Sequence, residues 1–422
     1  MDRQKDASFR RNVFGVAAVE LLWGLGFPIV LESTFLQLFL KSLGASSFAI
    51  GMVPSLFIFG ISTFPLFASY IARNRRLKRP LVIWLHVVSG LSILLFGAAL
   101  AFITEKKDVL PLFFVSYMVF SLCIGLTIPI WFDYLMRIFS EARAVSGLGY
   151  MMIAQNIGKI VASFFILKIV ETYAFSLQSS AWVFMATGLL FIAGSFCFLF
   201  TTEVAEPHDS NRDTSSFLRH IGRELAEICS NRRFLVYLLA DLDTYAILTV
   251  MSFYANYATG FFGVSVPVAA GTFVACIYAG SITVNVFFGT MNLLGLKQKL
   301  VLTKFVTLVL LALLIFLPGL YTFLVVSYLL GFARAIRNMI YAPSVKKFAA
   351  RTDTTGYFSL APILTIPIAT GLPLLFGQAL DVFSFMEADG YRLLFAFCAG
   401  FILVTLYFAV QTDYEGAAKP GE

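Results

Sequence analysis

The chain has 422 residues and a net charge of +7, and 59% of its residues are hydrophobic while only 13% are charged. A water-soluble domain carries about 25% charged residues, so the composition excludes an ordinary soluble protein. Apolar blocks long enough for a membrane helix of ~20 residues follow one another along the chain. They are too long for the segments of roughly ten residues in a transmembrane β-barrel. We therefore predict an all-α polytopic membrane protein.

The hydrophilic N-terminus, MDRQKDASFRRN, is followed by an apolar block that is too long for a signal-peptide core. We interpret this block as an uncleaved first span. Each later apolar block is interpreted as a further span, and one long polar stretch separates the two sets of six. The twelve predicted spans are 12–41, 47–71, 81–104, 109–137, 144–171, 179–201, 233–261, 266–293, 300–317, 319–343, 355–382 and 390–411.

The polar stretch divides the chain into an N-terminal six-helix bundle (1–201), a cytoplasmic linker (202–232), and a C-terminal six-helix bundle with a short tail (233–422). In the linker, SSFLRHIGRELAEI has apolar residues at helical spacing with basic residues between them, which predicts an amphipathic surface helix. Basic residues concentrate in the N-terminal tail, in the linker and in the loops after even-numbered spans. We therefore expect a multi-pass protein of the cell membrane, plasma or bacterial inner, with both termini cytoplasmic.

The two halves of the chain match each other weakly but in the same order. RRNVFGVAAVE opens span 1 and NRRFLVYLLAD opens span 7, and each places a basic pair about nine residues before an acid. RAVSGLGY before span 5 matches RTDTTGYF before span 11, and Glu171 and Asp381 close those spans. Several matches in one order indicate an internal repeat, which is how many transporter folds are built.

With these features the chain resembles the major facilitator superfamily (MFS) over nearly its whole length. The signature loop of that family after span 2 reads Gly-x-x-x-Asp-Arg-x-Gly-Arg-Lys, and here ASYIARNRRLKRP keeps only the basic cluster. The loop after span 8, GTMNLLGLKQK, keeps both glycines and the lysines. The resemblance implies twelve transmembrane helices in two pseudo-symmetric six-helix bundles, with spans 1, 4, 7 and 10 around a central cavity. It identifies no subfamily.

Charged residues are predicted deep within several spans, where each costs about 2.5–3.5 kcal/mol on insertion scales. Such residues face either an aqueous cavity or an ion-pair partner on another helix. Acids and bases are equal in number in this set, so both interpretations stay open. The set consists of Glu20, Asp241, Asp243, Lys159, Arg334 and Arg337.

The two aspartates of span 7 lie two positions apart, which is about 200° around a helix of 3.6 residues per turn. They therefore cannot share a face. Asp241 shares its face with Tyr237 and Tyr245, which favours a wet cavity, and we predict that it takes part in proton or substrate chemistry. Asp243 shares its face with packing residues, so we predict a structural or gating ion pair with an arginine of span 10, either Arg334 or Arg337.

Glu20 lies at the matching depth of span 1 and shares its face with Trp23. A buried carboxyl group can exchange protons near neutral pH, so Glu20 is a second candidate for proton coupling. The alternative is a buried ion pair with Lys159 on span 5.

Polar residues on spans 5 and 10 form candidate faces for solute binding. On span 5 two amides precede a lysine by four and three residues, and on span 10 two arginines and an asparagine share a face. Guanidinium groups suit carboxylates and phosphates, which favours an anionic or zwitterionic solute, unless these bases pair with the acids. With three aromatic residues of spans 1 and 7, the candidate substrate-cavity residues are Arg334, Arg337, Asn338, Lys159, Gln155, Asn156, Tyr237, Tyr245 and Trp23.

At the end of span 4, Asp133, Arg137 and Glu141 recur every four residues. Residues at this spacing are neighbours on a helix surface. We interpret them as an ion-paired helix end or a brace of the inner gate rather than as a binding site.

We expect a secondary active transporter that moves a small solute by alternating access, driven by protons or by exchange. The sequence has no Gly-x-x-x-x-Gly-Lys-Ser/Thr loop, so ATP is not the direct drive. The alternative within this class is an efflux antiporter for apolar or cationic drugs. A lipid translocator or a membrane-embedded enzyme are alternatives of another class, and without a Ser/His/Asp set or an HExxH motif we expect no enzyme.

The expected partners are a small-molecule substrate, protons and the lipid bilayer, and we expect a monomer. The basic excess is typical of cytoplasmic loops in a membrane protein, so we expect no nucleic acid partner. The five cysteines are scattered, without CxxC or His/Cys ligand spacing, so we expect no metal site and no other cofactor.

Overall fold

The computed structural model describes residues 2–31, 34–72, 75–103, 105, 108–205, 217–291, 293–349 and 355–414. Within these ranges every regular element is a helix. Twelve of the described helical segments are long and apolar enough to cross a membrane. The prediction of an all-α polytopic protein with twelve spans is therefore confirmed.

Contacts divide the chain into two compact units. The first unit comprises Met1–Ala45 and Leu56–Asp213 and contains spans 1 to 6, apart from the beginning of span 2. A short 3-10 turn, Phe198–Phe200, extends its last helix. Its helices are α1 (Asp2–Ala7), α2 (Phe9–Val30), α3 (Phe35–Ser42), α4 (Ser47–Thr63), α5 (Pro65–Ala72), α6 (Arg79–Leu100), α7 (Val109–Ile138), α8 (Glu141–Tyr173) and α9 (Leu177–Cys197).

The first apolar block forms two helices rather than the single predicted span. The membrane-crossing helix α2 ends at Val30, and a separate helix, α3, covers Phe35–Ser42. The predicted block 12–41 is longer than the ~20 residues that cross a bilayer. The surplus residues therefore fold as a second, short helix.

Within the first unit, α2 packs closely on α8 because glycines lie at the contact. A Cβ atom on Gly158 would lie 2.5 Å from the carbonyl oxygen of Leu21, and a Cβ atom on Gly24 would collide with the carbonyl group of Gln155. Small residues allow membrane helices to approach each other in this way. The close contact brings the face of α8 that carries Gln155 next to Glu20.

The second unit comprises Ser46–Ser55 and Thr214–Glu422. It includes the predicted linker helix, which is present as α10. π-helical segments, Val268–Thr272 and Asn285–Thr290, lie on either side of α13, and a 3-10 turn covers Ser384–Met386. Its helices are α10 (Phe217–Ser230), α11 (Arg232–Asp241), α12 (Asp243–Phe261), α13 (Phe273–Val284), α14 (Leu296–Phe316), α15 (Leu320–Ala349), α16 (Thr355–Val382) and α17 (Ala388–Gln411).

The first residues of α4 belong to the second unit through hydrogen bonds to α16. The backbone N–H groups of Ser47 and Phe48 donate to the two carboxylate oxygens of Asp381 at 2.7 and 2.8 Å. The Ser55 hydroxyl donates to the carbonyl oxygen of Thr370 at 2.7 Å. Asp381 therefore satisfies two N–H groups that the first turn of a helix leaves without partners.

Span 7 is interrupted in its first half. α11 ends at Asp241, α12 begins at Asp243, and Leu242 between them forms a turn. A helix end leaves the last carbonyl groups without partners in the helix. The interruption thus places two acidic side chains and the carbonyl groups at the end of α11 close together inside the second unit.

Candidate functional site

The end of α11 carries an ion pair with span 10. Arg337 on α15 donates from Nη2 to Asp241 Oδ2 at 2.7 Å and from Nε to Asp241 Oδ1 at 3.2 Å. These two bonds form the bidentate geometry that an arginine makes with a carboxylate. The Asp241 side chain is 5% exposed, whereas the Arg337 side chain keeps 22% of its surface exposed. The cation is therefore the accessible half of the pair.

Four tyrosines surround the Asp241–Arg337 pair. The guanidinium carbon of Arg337 lies 4.3 Å from the ring centre of Tyr341, which is a cation–π contact. The hydroxyl of Tyr245 lies 2.7 Å from the hydroxyl of Thr365 on α16. The tyrosines that interact electrostatically with the Asp241 carboxylate are Tyr237, Tyr245, Tyr341 and Tyr414.

Tyr414 follows the last span and belongs to this group of tyrosines. Its hydroxyl lies 2.9 Å from the Ser344 hydroxyl, and its ring packs edge-on against Phe348. Burial raises the pKa of Tyr414 to about 12. Its hydroxyl therefore stays neutral near pH 7.

A second buried ion pair lies on the other side of the interruption in span 7. Lys304 of α14 contacts the Asp243 carboxylate, and each of the two side chains is only 1% exposed. The same ammonium donates to the carbonyl oxygen of Ala240 at 2.5 Å. The predicted partner of Asp243, an arginine of span 10, is therefore wrong. Arg337 is bound to Asp241 instead, and the cation beside Asp243 comes from span 9.

Lys304 is the site residue that the sequence-based prediction omits. It follows Lys297 and Lys299 on the same helix, so it resembles a continuation of the basic residues at the start of span 9. The available signal was its depth, because it lies one turn further into an apolar run than Lys299. With Lys304 included, the deep charged residues are three acids and four bases.

The acid of the first unit has a different hydrogen-bond partner. Gln155 of α8 donates from Nε2 to Glu20 Oε2 at 2.6 Å, and Glu20 is 5% exposed. Lys159 interacts electrostatically with Glu20 and lies 5.3 Å from the ring centre of Phe27. A neutral amide and a nearby ammonium thus hold the Glu20 carboxyl group.

Two aromatic candidates for the substrate cavity, Trp23 and Tyr237, are buried inside their units. Trp23 is 3% exposed, donates from Nε1 to the Phe191 carbonyl oxygen at 3.1 Å, and stacks on the Phe191 ring. Tyr237 is fully buried and stacks on Phe348. Large aromatic side chains bury most of their area against neighbours, and here that packing requirement determines their position.

The other predicted cavity residues are at least partly accessible. Arg334 is half-buried and Asn338 is exposed, and both share α15 with Arg337. Asn156 on α8 is half-buried. Arg337, Arg334 and Asn338 thus form the accessible polar part of α15.

The charged end of span 4 forms a network with neighbouring segments. Arg137 Nη2 lies 3.3 Å from Asp133 Oδ2, and Lys78 Nζ lies 3.5 Å from the same oxygen. Glu203 lies 4.0 Å from Arg137 Nη1 and accepts a hydrogen bond from the backbone N–H of Lys78 at 2.7 Å. The side chain of Glu141 lies outside the described residues. The sequence-based prediction does not include Glu203 or Lys78 in this network.

An apolar cleft lies in the first unit between α2, α8 and α9. Its volume is about 240 Å³, and its lining includes Leu25, Phe165 and Leu190. The hydroxyl of Thr187, also in the lining, is bonded to the Val183 carbonyl oxygen of its own helix. The cleft therefore offers hydrocarbon contacts and does not resemble a site for a polar solute.

Charged residues within membrane spans mark the paths of solutes and ions. The described residues contain no group of three His, Cys, Asp or Glu side chains that could hold a metal ion. Twelve spans with ion pairs on spans 7, 9 and 10 define a polytopic helical membrane protein with charged groups in its interior.

Comparison with known sequences identifies the family. The sequence model of the Major Facilitator Superfamily matches residues 22–361, which is most of the chain. The chain belongs to the Major Facilitator Superfamily, and the predicted resemblance is confirmed. It is a secondary transporter of this family and an integral multi-pass membrane protein. No curated protein matches the chain in a sequence comparison.

Solved structures of this family resemble the whole chain. A mutant of the nucleoside transporter NupG has a TM-score of 0.71 at 13% identity, covering 95% of this chain and 99% of that chain. An inward-facing bacterial homologue of the human lysosomal transporter Spinster has a TM-score of 0.67 at 12% identity, covering 98% and 99%. The E. coli fucose:proton symporter FucP has a TM-score of 0.63 at 18% identity, covering 96% and 99%. These similarities show the fold.

Proposed function

We propose that this transporter moves a small organic solute that is anionic or zwitterionic, and that Arg337 binds an anionic group of that solute. The observation that carries the proposal is the unequal exposure of the ion pair on spans 7 and 10. Arg337 is 22% exposed and Asp241 is 5% exposed. A solute that reaches this pair therefore meets the guanidinium first.

The geometry of the pair prepares Arg337 for a second anion. Asp241 engages the Nε and Nη2 groups, and in the described contacts of this pair Nη1 remains for another acceptor. Arginine has five N–H donors in a planar fork, so one carboxylate does not use all of them. Tyr341 stacks on the guanidinium and restricts its orientation. A fixed, partly used guanidinium suits a carboxylate or phosphate group.

The charge balance also supports an anionic group. The seven deep charged residues considered above comprise three acids and four bases, so this set contains one more basic than acidic residue. An additional cation would increase that surplus, whereas an anion reduces it. The efflux of apolar cations would require an accessible acid, and the three deep acids are between 1% and 5% exposed.

We propose that proton coupling depends on Glu20 more than on Asp241. An amide side chain can both donate and accept hydrogen bonds, so Gln155 can pair with the ionised or the protonated form of Glu20. Arg337 can only donate, and it binds the Asp241 carboxylate through two N–H groups. Of the two hydrogen-bond partners, Gln155 is therefore the one that can follow a change of protonation.

The experiment is a thermal-shift screen of the purified protein with organic anions, amino acids, sugars, nucleosides and apolar cations. A compound at ~100 times its dissociation constant stabilises by about 2.7 kcal/mol if it binds only the folded form. We expect anions or zwitterions to raise the melting temperature of the wild-type protein and to leave that of Arg337→Gln unchanged.

The matched control is Arg392→Gln, which removes another arginine–aspartate contact of the second unit, 2.8 Å long, between Arg392 and Asp389. This variant should keep the ligand-induced shift. Stabilisation by apolar cations alone, or an equal loss in both variants, would contradict the proposal.

We also propose that the protein lies in the cell membrane with both termini and α10 on the cytoplasmic side, as the distribution of basic residues favours. Cys229 on α10 is exposed, whereas Cys398 in span 12 is buried. A membrane-impermeant thiol reagent should therefore label Cys229 only after the cells are permeabilised, with Cys229→Ser as the control. Labelling in intact cells would contradict this orientation.

A further inference from the structure

Two ion pairs flank the interruption of span 7. Leu242 separates α11 from α12, and its neighbours Asp241 and Asp243 bind cations from two different helices. Arg337 comes from α15 and Lys304 from α14. The turn at Leu242 therefore directs two carboxylates to two partners.

Lys304 connects the two halves of the interrupted span. Its ammonium donates to the carbonyl oxygen of Ala240, in the last turn of α11, at 2.5 Å. The same ammonium contacts the carboxylate of Asp243, the first residue of α12. A carbonyl at a helix end needs a partner from outside the helix, and a buried carboxylate needs a cation. One side chain meets both needs.

We propose that Lys304 is a positioning residue. It maintains the break between α11 and α12 and thereby orients the Asp241 carboxylate toward Arg337. Ala240 directly precedes Asp241, so the carbonyl group that Lys304 binds is part of the peptide unit that leads into Asp241. Lys304 is fully buried and does not line the accessible face of α15. It acts on the solute site only through the backbone of span 7.

The consequence for transport rests on the proposed function of Arg337. If Arg337 binds the solute, Lys304 affects that binding by setting the position of Asp241. The position of Asp241 determines how many N–H groups of the guanidinium it binds. Coupling between Asp241 and Arg337 is a property of the protein without solute, however. It can be measured whether or not Arg337 binds a solute, so failure of one proposal is distinguishable from failure of the other.

The test is a double-mutant cycle of Asp241→Asn and Arg337→Gln, measured in two backgrounds by thermal unfolding of the purified protein without solute. Residues in one ion pair give non-additive effects. In the native background, we expect the double variant to lose less melting temperature than the sum of the two single losses. In the Lys304→Met background, we expect the two losses to add, because the pair is no longer aligned.

The control background is Lys299→Met. Lys299 is also a buried lysine of α14 that donates to a backbone carbonyl, that of Phe288 at 2.9 Å. Its removal should lower stability but leave the cycle non-additive. Unchanged non-additivity in Lys304→Met would overturn the proposal, and so would additivity in Lys299→Met, since general destabilisation would then explain both results.

A second background covers the case in which Lys304→Met does not fold. Lys304→Gln combined with Asp243→Asn removes both charges and leaves no uncompensated ion in the interior. Glutamine is shorter than lysine and carries no charge, so the proposal predicts additive losses here as well. Non-additivity equal to that of the native background would reject Lys304 as the positioning residue.

Discussion

The buried acids of the two units have partners of different chemistry. In the first unit, Glu20 receives a hydrogen bond of 2.6 Å from the neutral amide of Gln155. In the second unit, Asp241 receives bonds from a guanidinium at 2.7 Å, and Asp243 contacts an ammonium. Glu20 is thus held by an amide with the ammonium of Lys159 nearby, whereas each aspartate contacts a cation directly.

The difference teaches how the tasks of a transporter can be divided between similar residues. An amide accepts or donates and so tolerates a change of protonation. A guanidinium or ammonium only donates, and it favours the ionised form of a carboxyl group. We therefore propose that the first unit carries the proton and that the second holds an array of charges for an anionic solute.

The largest effect is expected at the fully buried pair of the second unit. Removing one partner of a buried ion pair costs about 3–5 kcal/mol, because the remaining charge is uncompensated. Lys304→Met should therefore strongly reduce the yield of folded protein and its melting temperature, measured by thermal unfolding in detergent. The Lys304→Gln/Asp243→Asn double variant should recover most of the loss. A double variant as unstable as the single variant would show that packing, not charge, holds this site.

The second effect concerns the helix contact that brings Gln155 to Glu20. In Gly158→Val the added side chain would overlap the backbone of Leu21, and overpacking of this kind costs about 1–3 kcal/mol. We expect Gly158→Val to have a lower melting temperature than the wild type. We also expect the change of protonation that distinguishes the wild type from Glu20→Gln to be absent in Gly158→Val. As a control, Gly149→Val on the same helix has open space around its Cβ position and should have little effect. Equal destabilisation by both changes would refute the role of close packing.

The third effect sharpens the assignment of proton coupling. Glu20→Gln keeps an amide-compatible hydrogen bond but cannot change charge, so solute binding should persist while acceleration by a pH gradient is lost. In proteoliposomes with an imposed pH gradient, a tenfold acceleration of transport by the wild type, equivalent to about 1.4 kcal/mol, should be absent in Glu20→Gln. If Glu20→Gln retained the acceleration and Asp241→Asn lost it, proton coupling would have to be assigned to the second unit instead of the first.

The smallest effect is expected at the surface. Lys168 lies 2.8 Å from Glu171, and both side chains are more than half exposed. Exposed ion pairs contribute little because water screens them. Lys168→Gln should leave both the melting temperature and the transport rate within experimental error of the wild-type values. A clear loss of transport would indicate that this end of span 5 takes part in the cycle.

Hydropathy was sufficient to predict the twelve spans, because apolar blocks of membrane-crossing length are a direct consequence of the bilayer thickness. The presence of charged residues on spans 1, 5, 7 and 10 was equally visible. Their pairing was not, since depth in a span does not determine which neighbouring helix a side chain meets. Asp243 therefore received the wrong predicted partner.

Two further features lack a clear sequence signal. The turn at Leu242 contains neither glycine nor proline, the usual causes of an interrupted helix. The residues that flank it contact Lys304, which is 62 residues from Leu242 in the sequence. Trp23 and Tyr237 have the polar atoms of cavity residues, yet packing buries both. Such features depend on tertiary contacts that a single sequence does not display.

The most direct test of the account is the affinity for an organic anion found in the screen, measured by calorimetric titration for Asp241→Asn and Arg337→Gln. A hydrogen bond to a charged group contributes about 1.5–3 kcal/mol, so Arg337→Gln should weaken binding tenfold or more. Asp241→Asn frees the guanidinium from a competing carboxylate and should tighten it. Opposite changes in the two variants would support Arg337 as the anion site. Loss of binding in Asp241→Asn with retention in Arg337→Gln would contradict it.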